Sequence, residues 1–294
     1  MSTDRNIRDV ITDDGQRGIV LNMPREKYTA IQRMNCSRLV EGLLGPFEID
    51  PVGVRDAFEN TRAEPKSSQQ DSYDRGTLAH LILLQPEQLV DRVAVWKGKT
   101  RHGSEWEAFE NEHSGKLIMR PADVADVQRA CREFRKTKQV NDLLRPCDTE
   151  VAVFSQEGGI FCKGSIDAVT RAGLCVILDP KTVGVGIDSE TVRRQIRKFH
   201  YREKMAMYAR WYTAATGREV DAVYLIFISL PPQRIGVRLV KLTTAALQWG
   251  EARMLAVLRA VKECIAKDDW PTFFADDFAD VSPWELMPET PLQM

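Results

Sequence analysis

The hydrophobic residues follow a helical spacing in the first half of the chain. One helix is predicted over 27–41, ahead of a stretch rich in Gly and Pro. A second begins near residue 74 and ends before Gln85-Pro86, because the residue before a proline disfavours the helical conformation. A third opens at Pro121, and its apolar positions have the spacing of an amphipathic helix. These positions are Val124, Val127, Ala130, Cys131 and Phe134.

The spacing then changes to that of short strands. Segments 150–154, 160–170 and 174–179 are rich in β-branched residues. Gly158-Gly159 and Ala172-Gly173 separate them. Such dipeptides are typical of tight turns, so the pattern predicts three antiparallel strands.

Beyond the predicted strands, the pattern returns to helices. Asp188 supplies an N-cap for a helix that runs towards residue 199, and a further helix stops at Gly217. Two strands over 222–230 and 235–240 and a closing helix over 243–266 follow.

This order of elements predicts an α/β (α+β) fold, with a central mixed sheet and helices on both faces. We expect three regions along the chain. Residues 1–72 form an N-terminal helical or docking segment, 73–271 form the core, and 272–294 form an irregular tail.

Composition and charge exclude several classes of protein. The 41 Lys and Arg residues nearly balance the 42 Asp and Glu residues, so a polyanion must be bound by a local basic patch. No apolar segment approaches a membrane span, and the polar N-terminus is unlike a signal peptide. The six cysteines form no C-x-x-C pair, and the four histidines form no H-x-x-x-H motif. We expect a cytoplasmic protein with reduced thiols.

The candidate chemistry lies on the second and third predicted strands. A hairpin folded at Ala172-Gly173 brings Asp167 close to Asp179, and strand alternation puts Asp179 and Lys181 on the same side. Two such carboxylates repel each other unless a cation lies between them, and oxygen ligands favour Mg²⁺ or Mn²⁺. The ammonium suits the orientation or deprotonation of a water, or the stabilisation of charge on a phosphate.

A simpler interpretation of these residues is a salt bridge at the end of a strand. An acid-x-Lys triplet also occurs at Glu64-Pro65-Lys66, in a polar region with no strand before it. The triplet Asp179-Pro180-Lys181 differs because it ends an apolar strand and faces a second acid across a turn.

Four motifs in this chain resemble those of the RecE-type exonucleases (exodeoxyribonuclease VIII), members of the PD-(D/E)XK nuclease superfamily. The resemblance spans about 73–271 and ends at Asp269-Trp270-Pro271. The motifs are Arg75-Gly76-Thr77-Leu78-Ala79-His80-Leu81, Thr149-Glu150, Gly164-Ser165-Ile166-Asp167 and Ile177-Leu178-Asp179-Pro180-Lys181-Thr182.

The resemblance implies a role for each matched residue. Asp167 and Asp179 become metal ligands with His80 and the Pro180 backbone carbonyl, Lys181 becomes the catalytic lysine, and Glu150 becomes a ligand or an outer acid. Taken from the residues alone, His80 among Leu78, Leu81 and Ile82 fits a core histidine better than a ligand, and Glu150 fits equally well as a surface residue at the start of a strand.

A basic segment after the predicted lysine strand is the candidate DNA-binding surface. It contains Arg193, Arg194, Arg197, Lys198, Arg202 and Lys204. Cations beside a nuclease site hold the phosphate backbone, although charged runs are usually solvated helix faces. Relatives carry Gln-x-x-x-Tyr on this helix. The match here is Lys204 to Tyr208, with Lys in place of Gln and Tyr208 either stacking on DNA or packing.

The resemblance implies a Mg²⁺-dependent exonuclease, for which Mn²⁺ may substitute, acting 5′ to 3′ on linear double-stranded DNA ends for recombination. It further implies a phage or prophage origin, a toroidal homotetramer and a single-strand annealing partner. One alternative is a restriction, repair or CRISPR-adaptation endonuclease, or a single-strand nuclease. Another is a DNA-binding protein with a decayed site. Some relatives hold an iron–sulfur cluster through cysteines near the C-terminus, and we expect none because only Cys264 lies there.

Overall fold

A computed structural model describes residues 18–21, 23, 25–44, 48–60, 67–136, 138, 142–143, 147–230 and 234–271. The helices of these residues are α1 Arg25–Ala30, α2 Cys36–Leu39, α3 Pro51–Glu59, α4 Ser67–Leu84, α5 Leu89–Arg92, α6 Ser104–Glu112, α7 Pro121–Lys136, α8 Ser189–Lys198, α9 Tyr201–Thr216 and α10 Thr244–Lys267. The strands are β1 Gly18–Leu21, β2 Met34–Asn35, β3 Val93–Val95, β4 Leu117–Met119, β5 Cys147–Glu157, β6 Ile160–Thr170, β7 Val176–Val183, β8 Ala222–Ser229 and β9 Gly236–Lys241. Short 3₁₀ helices cover Val40–Gly42 and Pro86–Gln88.

A mixed sheet forms the centre of the described part of the chain. Its strand order is β1-β5-β6-β7-β8-β9, and β2 pairs with β6 beside this path. Strands β7 and β8 are parallel, whereas the pairs β5–β6, β6–β7 and β8–β9 are antiparallel. The prediction of a mixed central sheet is confirmed.

Alternate residues of the central strands pack into two different cores, one on each face of the sheet. Leu225 and Phe227 on β8 contribute to the first core, which they share with α2, α3, α9 and α10. Ile226 and Ile228 contribute to the second, which they share with α4 and α7. Burial on both faces explains why residues 222–228 form a continuous apolar run. The prediction of helices on both faces is also confirmed.

The N-terminal segment contains strands that the hydrophobic spacing did not predict. Instead of one helix over 27–41, the chain forms α1, an extended stretch with β2, and α2. The buried Lys163 on β6 donates hydrogen bonds to the carbonyls of Tyr28 and Ile31, at the end of α1. The Asn35 side chain then accepts a hydrogen bond from the Arg38 amide and caps α2. A lysine distant in sequence thus helps to interrupt the predicted helix.

Residue 73, where the predicted core of 73–271 begins after the segment 1–72, is not a boundary between elements of the structure. It lies inside α4, and β1 and β2 belong to the central sheet. Buried residues of α2 and α3, such as Leu39 and Val54, pack in the first core with residues of α9 and α10. The predicted tail over 272–294 lies outside the described residues.

A small module between α5 and α7 was also missed. Strands β3 and β4 form a separate parallel two-stranded sheet, and the Trp96 indole packs against Trp106 and Phe109 of α6. The Trp96 Nε1 donates a hydrogen bond to the Thr100 carbonyl, which folds the following loop over the ring. Strands of three residues are too short to show an alternating pattern in the sequence.

All six cysteines are buried free thiols in the described structure, consistent with the expected core positions. Burial raises the pKa of each of them, most clearly at Cys36 and Cys162. None of the described helices has both the length and the hydropathy needed to cross a membrane.

Gly250 on α10 allows α9 and α10 to pack closely, and Gly250→Ala is expected to destabilise the fold. A Cβ at this position would lie 2.8 Å from the Arg202 carbonyl oxygen and 2.9 Å from the Glu203 amide nitrogen. Overpacking of this kind costs about 1–3 kcal/mol, which exceeds the gain in helix propensity of about 1 kcal/mol. Urea unfolding measures the change. Gln248→Ala, at an exposed position of the same helix, is the control and should be nearly neutral. Equal stability of Gly250→Ala and wild type would contradict this packing.

Candidate active site

Three acidic residues lie side by side across three adjacent strands of the central sheet. Glu150 on β5 lies opposite Asp167 on β6, since the flanking residues pair as Thr149–Ala168 and Val151–Ile166. The pairs Ala168–Leu178 and Val169–Ile177 continue the same register and place Asp167 opposite Asp179 on β7. The hairpin predicted at Ala172-Gly173 thus brings the two aspartates together, and Glu150 extends the row.

Glu150 has an unusual backbone conformation for a residue within a strand. Its φ of 50° is in the left-handed region, which residues other than Gly and Asn rarely adopt. Its carboxylate contacts His80 Nε2 on the helix that crosses this end of the strands. Strained residues of this kind are often found at functional sites.

The motif that begins at Arg75 positions His80 over the row of acids. The Arg75 guanidinium lies 3.6 Å from carboxylate oxygens of Asp123 and Asp126, which links α4 to α7. Gly76 allows α4 to approach β7, because a Cβ there would lie 3.1 Å from the Thr182 hydroxyl. One turn later, the His80 Nδ1 lies 4.0 Å from the Asp167 Oδ2.

Lys181 projects to the same side of β7 as Asp179, as strand alternation predicts. Its Nζ lies 2.7 Å from Asp179 Oδ2 and 3.8 Å from Asp167 Oδ2. The Tyr201 ring covers the ammonium, with its centroid 5.5 Å from Nζ. Tyr201 was not among the predicted site residues. It follows His200, which has a left-handed φ of 53°, and a sequence pattern does not reveal such a turn.

These side chains surround a cavity of about 380 Å³. Its walls include His80, Glu150, Asp167, Pro180 and Lys181. It also extends to Gln85 and Arg92, beyond the end of α4. The site is therefore a pocket between α4 and the row of acids.

Burial and the neighbouring charges together set the protonation equilibria of the site. It raises the pKa of Asp179, and the charge of Asp167 acts in the same direction while Lys181 opposes it. For Lys181, burial lowers the pKa, but the charges of Asp179 and Asp167 outweigh it and raise the pKa above its ordinary value. Burial likewise lowers the pKa of His80, but the contact with Glu150 and the charges of Asp167 and Glu150 together outweigh it and raise the pKa above its ordinary value.

The residue types fit a hard divalent cation. Three carboxylates face one ammonium and one imidazole, and carboxylate oxygens are the preferred ligands of Mg²⁺. His80 Nε2 and Asp179 Oδ2 are buried and, apart from their charged contacts to Glu150 and Lys181, make no well-aligned hydrogen bond. Within the described ranges, however, no three His, Cys, Asp or Glu side chains converge as a preformed metal site. The Lys181 ammonium instead bridges the two aspartates.

The predicted DNA-binding residues do not form a single surface. Arg193, Arg194, Arg197 and Lys198 are on the exposed face of α8, whose buried residues are Val192 and Ile196. Arg202 is only partly exposed: its guanidinium stacks 4.3 Å from the centroid of the Trp249 ring and lies 3.9 Å from Glu203. Its position makes it a structural contact between α9 and α10.

Lys204 and Tyr208 occupy more interior positions on α9. Lys204 is partly buried, and its carbonyl accepts a weak hydrogen bond from the Cys36 thiol. The Tyr208 ring packs closely against β6, since a Cβ on Gly164 would lie 3.0 Å from it. Of the two possibilities for Tyr208, packing is therefore the one that this geometry favours.

The mixed sheet, the aspartates on adjacent strands and the lysine two residues beyond Asp179 together define a PD-(D/E)XK nuclease fold. A comparison with family models agrees. The model described as "PDDEXK-like domain of unknown function (DUF3799)" matches residues 55–275, and the chain belongs to this family. No curated protein is significantly similar to the chain.

One solved structure shows the same architecture. The crystal structure of a "putative exonuclease" from Eubacterium rectale is 13% identical, covers 85% of this chain and 89% of its own, and has a TM-score of 0.60. At this identity the likeness concerns the fold alone. The crystal structure of a phage related exonuclease from Haemophilus somnus 129PT is 12% identical and covers 81% of this chain and 96% of its own. Its TM-score of 0.36 is too low to support an argument.

Proposed function

We propose that the protein is a Mg²⁺-dependent DNA exonuclease that hydrolyses phosphodiester bonds at linear duplex ends. The observation that carries this proposal is the row of Glu150, Asp167 and Asp179 across three strands, with Lys181 paired to both aspartates. The structurally similar protein from Eubacterium rectale is a "putative exonuclease", which favours an exonuclease over an endonuclease.

The residues that would hold the metal are Asp167 and Asp179, with His80, Glu150 and the Pro180 carbonyl as further ligands. When bound, Mg²⁺ would neutralise the carboxylates and polarise phosphoryl oxygens. Hydrolysis forms a bond between a water oxygen and phosphorus and breaks the bond to the leaving oxygen, which takes up a proton.

Lys181 contributes a positive charge at the reacting phosphate. Its two carboxylate neighbours keep it protonated, so it is suited to donate a hydrogen bond to a phosphoryl oxygen and less suited to deprotonate a water. Of the tasks considered for this residue, we therefore favour charge stabilisation. The Tyr201 ring limits the directions in which the ammonium can move.

The exposed cations of α8 would hold the DNA outside the pocket. Arg193, Arg194, Arg197 and Lys198 follow the strand that carries Lys181, and they face solvent. Contacts of this kind bind phosphates without reading the base sequence.

The experiment that tests the proposal is digestion of end-labelled linear and closed-circular duplexes with Mg²⁺, with Ca²⁺ and with EDTA. We expect hydrolysis of linear DNA with Mg²⁺ and none with EDTA. Cleavage of closed circles would indicate the alternative, a restriction or repair endonuclease. No cleavage in any condition, with DNA binding retained, would indicate a DNA-binding protein without catalysis.

Three finer features rest on the resemblance to RecE-type exonucleases alone. We infer 5′-to-3′ polarity, a single-strand annealing protein as partner, and a toroidal homotetramer. A ring would retain DNA through many cycles, whereas a chain of net charge −1 has only local patches for binding it.

For the ring, light scattering is expected to give a mass near four times the 33.4 kDa of the chain. Processive digestion should then persist at a salt concentration that prevents initial loading, because topology and not charge retains the DNA. A monomer that degrades long duplexes processively would exclude the ring.

A further inference from the structure

We propose that Arg92 binds a DNA phosphate next to the scissile bond and so positions the substrate in the pocket. This inference rests on the proposed nuclease function and adds a residue that neither the acid-x-Lys triplet nor the basic segment includes. Arg92 ends α5, outside all of the matched motifs.

Arg92 shares a cavity with the proposed catalytic residues. The cavity that contains Lys181 and Asp167 continues past the end of α4 to Gln85 and Arg92. The exposed arginines of α8 do not line it. A phosphate beside the reacting group would therefore meet Arg92 before it met the basic face of α8.

The Arg92 guanidinium has neutral neighbours. Its Nη1 lies 3.5 Å from the Gln85 side-chain oxygen and 3.3 Å from that of Gln88. Among the described residues, no carboxylate lies within ion-pair distance of Arg92. Arg75, which faces Asp123 and Asp126, is a contrasting case on the same side of the sheet. The Arg92 charge is therefore oriented but not neutralised.

The chain fixes Arg92 from two sides. The 3₁₀ helix Pro86–Gln88 joins α5 to α4. Gln85, which precedes this helix, is only 4% exposed, so its side-chain amide has a defined position beside Arg92. On the other side, β3 begins at the next residue and pairs with β4. The module of β3, β4 and α6, which has no role in the row of acids, thus serves to hold one end of the pocket.

Guanidinium and phosphate match in shape as well as in charge. Arg presents a planar fork of donors that can bind two phosphate oxygens at once, whereas Lys is a point charge. The two glutamine oxygens engage Nη1 and leave other guanidinium N–H groups for a ligand. A phosphodiester is therefore the chemical group that suits this end of the pocket.

Steady-state cleavage and DNA binding test the proposal together. Arg92→Ala is expected to raise KM about ten- to a hundredfold, with a smaller change in kcat, because hydrogen bonds to charged groups contribute about 1.5–3 kcal/mol. Arg92→Lys should lie between Arg92→Ala and wild type, since it keeps the charge and loses the fork. Arg259→Ala, an exposed arginine of α10 outside the cavity, is the matched control and should behave like wild type.

The binding measurement does not depend on turnover. Fluorescence anisotropy of a labelled duplex with the Lys181→Ala protein should give a salt slope that falls by about one unit when Arg92→Ala is added. A KM of Arg92→Ala within twofold of wild type together with an unchanged salt slope, or equal effects of Arg259→Ala, would overturn the proposal. If the wild type binds DNA but never cleaves it, the nuclease function fails, and the salt slope alone then decides whether Arg92 binds phosphate.

Discussion

Lys181→Ala is expected to reduce the rate of DNA hydrolysis by about a hundred- to a thousandfold or more at saturating DNA. Removal of one donor that stabilises charge in a transition state typically has this effect. The Lys181 ammonium is the positive charge that lies within 4 Å of both aspartates, and Tyr201 covers it. Single-turnover digestion of an end-labelled duplex measures the rate.

The matched control is Lys262→Ala, because Lys262 is an exposed lysine on α10, remote from the cavity. Circular dichroism should show the same fold for both variants. A Lys181→Ala protein that cleaves at the rate of Lys262→Ala would remove this residue from the mechanism and would favour the strand-end salt bridge.

Glu203→Ala is expected to destabilise the protein by about 3–5 kcal/mol, the usual cost of removing one partner of a buried ionic network. The Glu203 side chain is 1% exposed, and its Oε1 accepts a hydrogen bond of 3.0 Å from Arg253. His200 Nδ1 and the Arg202 guanidinium lie 3.5 and 3.9 Å from the same oxygen. Both arginines also stack on the Trp249 ring. Urea unfolding at neutral pH measures the loss.

Glu203→Gln separates charge from packing, because it keeps the volume while it removes the charge and replaces one acceptor oxygen by an amide donor. Burial tends to raise the pKa of Glu203, but hydrogen bonds from His200 and the backbone, together with the Arg202 charge, lower it below its ordinary 4.5. A lowered folded-state pKa adds stability above the ordinary pKa, and this stability is lost as pH falls through the folded value. The difference between wild type and Glu203→Gln should therefore be constant at neutral pH and shrink below about pH 4.5. A constant difference down to lower pH would contradict this assignment.

The sequence predicted the parts of the site that depend on strand alternation and a single turn. Asp167, Asp179 and Lys181 could be brought together because a hairpin has one geometry and side chains alternate with a period of two. His80 depends on the packing of α4 against the sheet and Glu150 on the register of β5 with β6, and only the resemblance to known nucleases suggested them.

The residues that the sequence did not reveal depend on contacts between distant segments. Tyr201 reaches Lys181 through a left-handed turn at His200, and Arg92 reaches the cavity through a module with very short strands. For the basic segment, the sequence showed the charges but not which of them are exposed. Its charge is visible in the sequence, but α8 exposes four of its cations whereas Arg202 packs on Trp249.

The row of acids also limits which mutations the turn between β6 and β7 can accept. Residues 171–175 between β6 and β7 include the exposed Leu174 and line no part of the cavity. Their number nevertheless sets which residue of β7 faces Asp167. A register shift of one residue would exchange the two faces of β7 and turn Lys181 and Asp179 away from Asp167. The exposed Ala172 and Leu174 are therefore open to substitution, whereas an insertion or deletion that shifts this register would separate the residues of a site that the turn does not contact.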